Sequence, residues 1–299
     1  MPRPDLGALG VNYRRIPVMA IGRDIYCDSR IILHKLEELL PDGALGASTP
    51  QDKAIEKFLQ IWNIEAGVFV RASQLIPASM PLLNDPKFTK DRQDFSGRSW
   101  SKEQITANRP EALAAIRNTF EFLETTLLAD GRQWMLKTDK PTLADIEDKL
   151  MQEQAIWTFD WLNGLKGALP RELISVKHYP KVFAWIDRFN DALKAAKSHA
   201  PRPASLKGDD AVQRILNATF AEKEPSVDSA DPLGLQHGME VEVFPIDSGS
   251  RNHDRGRLVG LTKDEVVLSV QAQGTELRLH YPRTGFRIKG ATSGGGSKL

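Results

Sequence analysis

Two short stretches of this chain carry residue types that could hold a ligand. The first is Ile16-Pro17-Val18, at the head of the apolar run Ile16–Ile21. A proline cannot donate to a sheet ladder, so this one suits an edge strand or an irregular bond. If the Ile16–Pro17 peptide is cis, the backbone N–H and C=O of Ile16 would turn outward and could pair with an extended peptide. The second is Asp28-Ser29, just ahead of the helically spaced Ile32, Leu33, Leu36, Leu39 and Leu40. An ordinary N-cap would look the same. As a site, the free N–H groups and positive end of that helix would hold a carboxylate, with the Ser29 hydroxyl as a further donor. Asp28 would then face an ammonium group on the same ligand.

Other chemistry finds little support. His34, His178, His199, His237, His253 and His280 are scattered, and no metal-ligand spacing appears among them. There is no phosphate-binding glycine loop, dinucleotide fingerprint or nucleophile elbow. Cys27 reads as a packed strand residue. Tyr13 is a candidate hydroxyl, with Arg14 and Arg15 beside it as possible ligand contacts. Near the C-terminus, Arg251, Arg255, Arg257, Arg278, Arg283 and Arg287 are nearly balanced by Glu240, Glu242, Asp247, Asp254, Asp264, Glu265 and Glu276. That mixture predicts a solvated surface rather than a nucleic-acid face. Ser297-Lys298-Leu299 matches the peroxisomal import signal, behind a glycine-rich lead that would keep it accessible to an import receptor; a chance match or a linker remnant is the bland reading.

The elements that must position these residues fall into three regions. Over residues 1–44, an apolar run turns at Gly22-Arg-Asp24, returns as Ile25-Tyr-Cys27, and leads into the helix ended by Pro41-Asp-Gly43. Residues 48–222 read as almost all helix. Ser48-Thr-Pro50 opens a long segment through Phe58, Trp62 and Val70, and prolines at 77, 81 and 86 break the chain into a loop. Arg109-Pro110 reopens a helix, others start at Thr142 and near Pro180, and the last covers Asp209–Phe220. Residues 222–236 are a polar, acidic linker. Over 236–290 the period changes to alternation, as in Met239, Val241 and Val243, with glycines at the turns. Four or five short strands in about 55 residues predict a small, SH3-like β-barrel. Residues 291–299 are a flexible tail.

With 299 residues, the chain can form two or three domains with real cores. Its 41% hydrophobic and 26% charged fractions are those of an ordinary globular protein. A formal net charge of +1 gives no global attraction to nucleic acid or anionic membranes, and neither is expected as a partner. One cysteine allows no internal disulfide, which favours a reducing compartment. No apolar run approaches the roughly 20 residues of a membrane-spanning helix.

In order and spacing, the strand with its proline, the hairpin, the acidic-Ser pair and the helix resemble the second half of a glutathione transferase N-terminal domain. Pro141-Thr142-Leu143-Ala144-Asp145-Ile146 looks like that family's buried capping box, with Thr142 capping the helix and Asp145 reaching back to the Thr142 N–H. Tyr179-Pro-Lys-Val-Phe-Ala-Trp185-Ile-Asp-Arg188 resembles the family's late helix, and RPDL…YRRIPV…IGRDIYCDSR is most similar to fungal members. The resemblance covers about residues 2–195. It implies a multi-domain α+β protein: a partial thioredoxin-like α/β unit, an all-α bundle of the glutathione transferase C-terminal type, and the extra small β-barrel. It implies glutathione as co-substrate, bound by Ile16, Pro17, Asp28 and Ser29, and a small electrophilic substrate in a pocket near Phe58, Trp62 and Phe69. A homodimer is the expected assembly, and the location is peroxisomal or, if the tail is not read, cytoplasmic. Only sixteen residues precede Pro17. The family's first strand, helix and second strand, with the thiol-activating residue, therefore have no counterpart here, so that residue cannot be assigned. The expectations that follow are a glutathione-conjugating or isomerising protein, a non-catalytic relative that keeps the fold for binding or assembly, or a natural protein with a longer N-terminus.

Overall fold

The computed structural model describes residues 3–65, 67–146 and 155–290. It is a mixed α+β fold with ten α-helices and one seven-stranded sheet among these residues. The chain divides into two compact units. The first takes in residues 1–35, 91–98 and 204–299, and the second residues 36–90 and 99–203.

The first unit opens with the short helix α1 (Pro4–Ala8), whose proline sits in the first turn, where a missing N–H costs nothing. Strands β1 (Val18–Ile21) and β2 (Asp24–Cys27) then form an antiparallel hairpin in which Val18 faces Cys27 and Ile21 faces Asp24. Gly22 makes its turn with φ +59, and a Cβ there would lie 2.1 Å from the Thr219 carbonyl oxygen, so only glycine fits. All four residues of β2 are buried, the pattern of a strand inside a sheet. The helix that follows, α2 (Ser29–Leu39), starts in this unit and buries Ile31, Ile32 and Leu33.

The C-terminal residues add β3 (Glu240–Pro245), β4 (Asp254–Leu261), β5 (Glu265–Ala272), β6 (Thr275–Pro282) and β7 (Phe286–Gly290). Their alternation and glycine turns were legible, and five strands form where four or five were expected. The expected separate barrel domain at 236–290 is corrected, however. The sheet runs β1-β2-β6-β5-β4-β3-β7, and β6 pairs in parallel with β2, Ile25 opposite Leu279 and Tyr26 opposite His280. One core serves both parts: Leu9, Val11, Tyr13, Ile25 and Cys27 pack with Val241, Leu258, Leu268, Leu279 and Tyr281. Apolar side chains on β2 and β6 thus have a common interior to fill, which removes the basis for two independent domains.

The same unit claims two segments assigned elsewhere by sequence. The expected helix Asp209–Phe220 is α10 (Gly208–Leu216), and its Val212 and Leu216 belong to this core rather than to a helical domain 48–222. The expected polar, acidic linker is bonded to the sheet. Asp24 accepts the N–H groups of Ala221 and Glu222 at 2.7 and 3.0 Å, and Ser226 and Asp228 exchange backbone bonds with Leu261 at 3.0 and 2.8 Å. Two of its acids are engaged by the fold, Asp231 by Arg283 at 3.1 Å and Glu222 by the Tyr26 hydroxyl at 2.7 Å, while Lys223, Glu224 and Asp228 are exposed.

The second unit is helical: α3 (Pro50–Glu65), α4 (Val68–Ser73), α6 (Lys102–Phe122), α7 (Leu143–Ile146), α8 (Ala155–Gly164) and α9 (Pro180–His199), with α5 (Pro86–Ser96) running from this unit into the first. Its core centres on Phe120, whose ring lies 4.7 Å from Phe159, 5.4 Å from Tyr179 and 5.7 Å from Phe183. The helix expected to begin at Arg109-Pro110 instead starts at Lys102, where the Ser101 side chain accepts the Gln104 N–H at 3.2 Å, and runs through Pro110. A proline inside a helix forfeits a bond and crowds the preceding turn. Here the adjacent Arg109 donates to the carbonyls of Leu75, Gly167 and Ala168 at 2.7–2.8 Å, tertiary bonds that hold the helix through that position.

Candidate functional site

The Ile16–Pro17 peptide is cis. Ile16 is 42% exposed, and among the described residues its backbone N–H and C=O make no hydrogen bond. At the start of α2, Asp28 has φ +98 and acts as the cap: its carboxylate accepts the Arg30 N–H at 3.1 Å, and its carbonyl accepts the Ile32 N–H at 3.2 Å. Ser29 is half-buried, and its hydroxyl makes no hydrogen bond among the described residues. Ile16, Pro17, Asp28 and Ser29 all belong to the first unit.

Asp28 does not stand as an open acceptor for an ammonium group, which corrects that expectation. It is only 5% exposed. Arg30 grips it with Nε at 2.7 Å and Nη2 at 2.9 Å, the Tyr13 hydroxyl donates at 3.2 Å, and Arg15 Nη1 lies 3.8 Å away. Burial alone would raise its pKa, but Arg30 and then Arg15 outweigh burial and hold it below the usual carboxylate range. Arg30 and Tyr13 are the partners that sequence spacing could not assign. Arg14 and Arg15 also differ from their expected role as ligand contacts: Arg14 pairs with Asp91 at 2.7 Å, and Arg15 pairs with Asp247 and donates to the Ser248 carbonyl at 2.8 and 2.9 Å.

The nearby hydroxyls and thiol are inward-facing. Burial, reinforced by Asp28, pushes Tyr13 well above its ordinary pKa. Burial and the bond to Glu222 do the same for Tyr26, whose hydroxyl donates to that carboxylate at 2.7 Å. Cys27 is fully buried, and its thiol is pushed up by burial and then by Asp254, as its reading as a packed strand residue requires. None of the three is placed to stabilise a thiolate outside the core.

In the second unit, Phe58 is 69% exposed, Trp62 packs against Phe122 at 5.5 Å, and Phe69 packs against Trp161 at 6.3 Å. The structure therefore gives Trp62 and Phe69 different aromatic neighbours. The capping box forms as the sequence predicts. Asp145 accepts the Thr142 N–H and hydroxyl, each at 3.0 Å, and also the Met135 N–H at 3.0 Å and the Trp185 indole N–H at 2.9 Å. It is a fully buried structural carboxylate with its donors supplied. Ser297, Lys298 and Leu299 lie outside the described residues. Among the described residues no cluster of three or more His, Cys, Asp or Glu has metal-binding geometry, and no helix is long and apolar enough to cross a membrane.

Comparison with known proteins fits this geometry into a fold. A GST-like protein from Pseudomonas syringae superposes with a TM-score of 0.65 at 23% identity, over 97% of this chain and 87% of that one. The chain therefore has a GST-like fold. Glutathione S-transferases from Rhodospirillum rubrum F11 (TM-score 0.36, 16% identity, 69% of this chain and 72% of that one) and Legionella pneumophila (0.34, 17%, 63% and 91%) superpose too loosely to carry an argument. Residues 71–198 match a family model described as a domain of unknown function (DUF7962). No curated protein matches the chain.

Proposed function

We propose that this chain is a glutathione transferase-like protein that binds glutathione on its first unit and presents the thiol to a small electrophilic substrate. The observation that carries the reading is the pairing of an unbonded Ile16 backbone ahead of Pro17 with an unbonded Ser29 hydroxyl at the α2 N-terminus. An extended γ-glutamyl peptide can add to the Ile16 N–H and C=O as a strand adds to a sheet edge. Its terminal carboxylate can then take the Ser29 hydroxyl and the positive helix end. In this reading Asp28 shapes the site through Arg30 and Arg15 and does not touch the ligand.

Calorimetry with glutathione tests it. Ser29→Ala should weaken binding by about 1.5–3 kcal/mol, the worth of a hydrogen bond to a charged group. Unchanged affinity would remove Ser29, and with it the site.

A second reading, a non-catalytic binding or assembly protein, is favoured by the burial of Tyr13, Tyr26 and Cys27, which leaves none of them to activate a thiol. Turnover of a chromogenic electrophile separates the two: binding without conjugation selects the second. Phe58, Trp62 and Phe69 are our assignment for the electrophile's apolar pocket, consistent with the exposure of Phe58. A homodimer, and peroxisomal import through Ser297-Lys298-Leu299 by its receptor, complete the proposal. The near-neutral net charge of +1 gives no reason to add nucleic acid or membrane as partners.

A further inference from the structure

We infer that Arg3, Arg14 and Arg92 form an anion site in the first unit, and that its ligand is the dianionic phosphoryl group of a small phosphate monoester. The site uses none of the residues of the glutathione reading, and its test contains no glutathione.

Two of the three guanidinium groups share one carboxylate. Asp91, in α5, accepts Arg14 Nη2 at 2.7 Å on one oxygen and Arg92 Nη2 and Nε at 2.6 and 3.1 Å on the other. Both guanidiniums also lie over the buried Phe95 ring, 5.4 and 5.0 Å from its centre. Arg3 joins them through the residue after Arg14: its Nη1 donates to the Arg15 carbonyl at 3.0 Å. Arg3, Arg14, Asp91, Arg92 and Phe95 all belong to the first unit. Arg3 is half-buried, and the side chains of Arg14, Asp91 and Arg92 are about one-fifth exposed, so the cluster is sheltered yet reachable from solvent.

The charges do not balance within the cluster. Three guanidiniums face one carboxylate, and Arg3 has no acidic partner among the described residues. Other acids nearby in sequence do not supply one. Asp5 lies against Gly208, Asp247 is taken by Arg15, and Asp94 makes no ion pair among the described residues. Burial, and then the charges of Arg14 and Arg92, lower the Arg3 pKa, so its surroundings oppose its charge. A bound anion offsets that repulsion.

The open donors define the ligand. Among the described residues, Arg3 Nε and Nη2 and Arg14 Nε and Nη1 make no hydrogen bond. Arg3 therefore keeps a whole Nε–Nη2 edge, the fork that takes two oxygens of one group, and Arg14 adds N–H groups beside Asp91. A phosphate monoester brings three terminal oxygens and a charge approaching −2 at neutral pH, which matches the two guanidiniums that Asp91 leaves uncompensated. A carboxylate brings one charge and leaves one guanidinium uncompensated.

Calorimetry on the full chain, at one ionic strength, compares phenyl phosphate, inorganic phosphate and benzoate. Phenyl phosphate should bind about three- to tenfold more tightly than benzoate, the range for partly exposed charge-assisted bonds, and at least as tightly as inorganic phosphate. Arg3→Gln should weaken phenyl phosphate binding by a similar factor without lowering the melting temperature of the free protein, since the side chain gives up a single bond to a carbonyl. Arg3→Lys, which keeps the charge but not the fork, should recover part of the loss. Arg251→Gln removes an exposed charge from the same unit and should leave binding unchanged. Equal weakening by Arg251→Gln would reduce the effect to general surface charge. Benzoate bound as tightly as phenyl phosphate would make this a carboxylate site, and inorganic phosphate bound with phenyl phosphate excluded would remove the ester. Any of these results, or binding of neither phosphate, overturns the inference.

Discussion

His280 is held between two carboxylates inside the sheet. Its Nδ1 lies 2.7 Å from Glu265, its Nε2 lies 3.1 Å from Asp24, and its ring stacks on Tyr26 at 4.5 Å. The surrounding charges are those two acids, Arg278 at 4.0 Å from Asp24, and the Tyr26–Glu222–Lys35 chain. Burial lowers the imidazole pKa, but the bonds to Asp24 and Glu265 outweigh it, so the net direction is upward. A folded pKa above the unfolded value of about 6.5 gives stability that is complete below that value and is lost as pH rises through the folded pKa. Asp24 shifts the other way. Burial raises it, but the His280 bond and the Glu222 and Ala221 N–H groups prevail, so its contribution is lost on acidification. Thermal melts should therefore fall as pH is raised above neutrality. His280→Gln should cost about 3 kcal/mol at pH 6, because it leaves carboxylates unpaired, and should flatten the alkaline slope. An unchanged slope would show that the imidazole is not the titrating group. At this scale the sequence was half-readable. Ile16, Pro17, Asp28 and Ser29 announced their chemistry by type and spacing, but Asp28's partners did not. Arg30 is two residues away, whereas Tyr13 and Arg15 reach it only through the fold.

Elements separated by some 250 positions meet at the β2·β6 pairing, Asp24 with Arg278 through Tyr26 with His280. The strands themselves were readable. Alternation at Met239, Val241 and Val243 marked β3, four or five strands were expected over 236–290 as a whole, and the hairpin β1–β2 followed from its apolar run and Gly22. Period identifies a strand but not its neighbour, so a parallel join between distant segments left no local trace. The uniformly buried β2 was the available clue, since a hairpin with one open face would alternate. Likewise, Pro110 was read as a helix start because local propensity counts the lost bond and cannot count Arg109's three distant carbonyls. The join makes a prediction about excision. A chain ending at residue 235 would uncover Leu9, Val11, Ile25 and Cys27 and leave β2 without its β6 partner. It should be insoluble or lack cooperative unfolding of the first unit. Residues 236–290 made alone should likewise show a collapsed, poorly dispersed NMR spectrum. A well-dispersed spectrum from that fragment would restore the independent barrel.

For the molecule as a whole, the two cores can be assigned by residue, and the likeness to the P. syringae protein extends over 97% of the chain. Neither core bears on where the protein works; on our proposal that information sits in Ser297-Lys298-Leu299, preceded by Ser293-Gly-Gly-Gly296. A receptor-read tripeptide needs accessibility and position, not a packed environment, so its action should be independent of the ligand site. A fluorescent protein fused ahead of the full chain should be punctate and coincide with a peroxisomal marker. Deleting Leu299 should make it diffuse, with the melting temperature unchanged. Ser29→Ala should leave the puncta intact while altering thiol binding. The last ten residues alone should carry a reporter to the same puncta. Diffuse fluorescence from both the full chain and the isolated tail would place the protein in the cytoplasm and return the tripeptide to coincidence. Puncta that survive loss of Leu299 would move the address into the folded body.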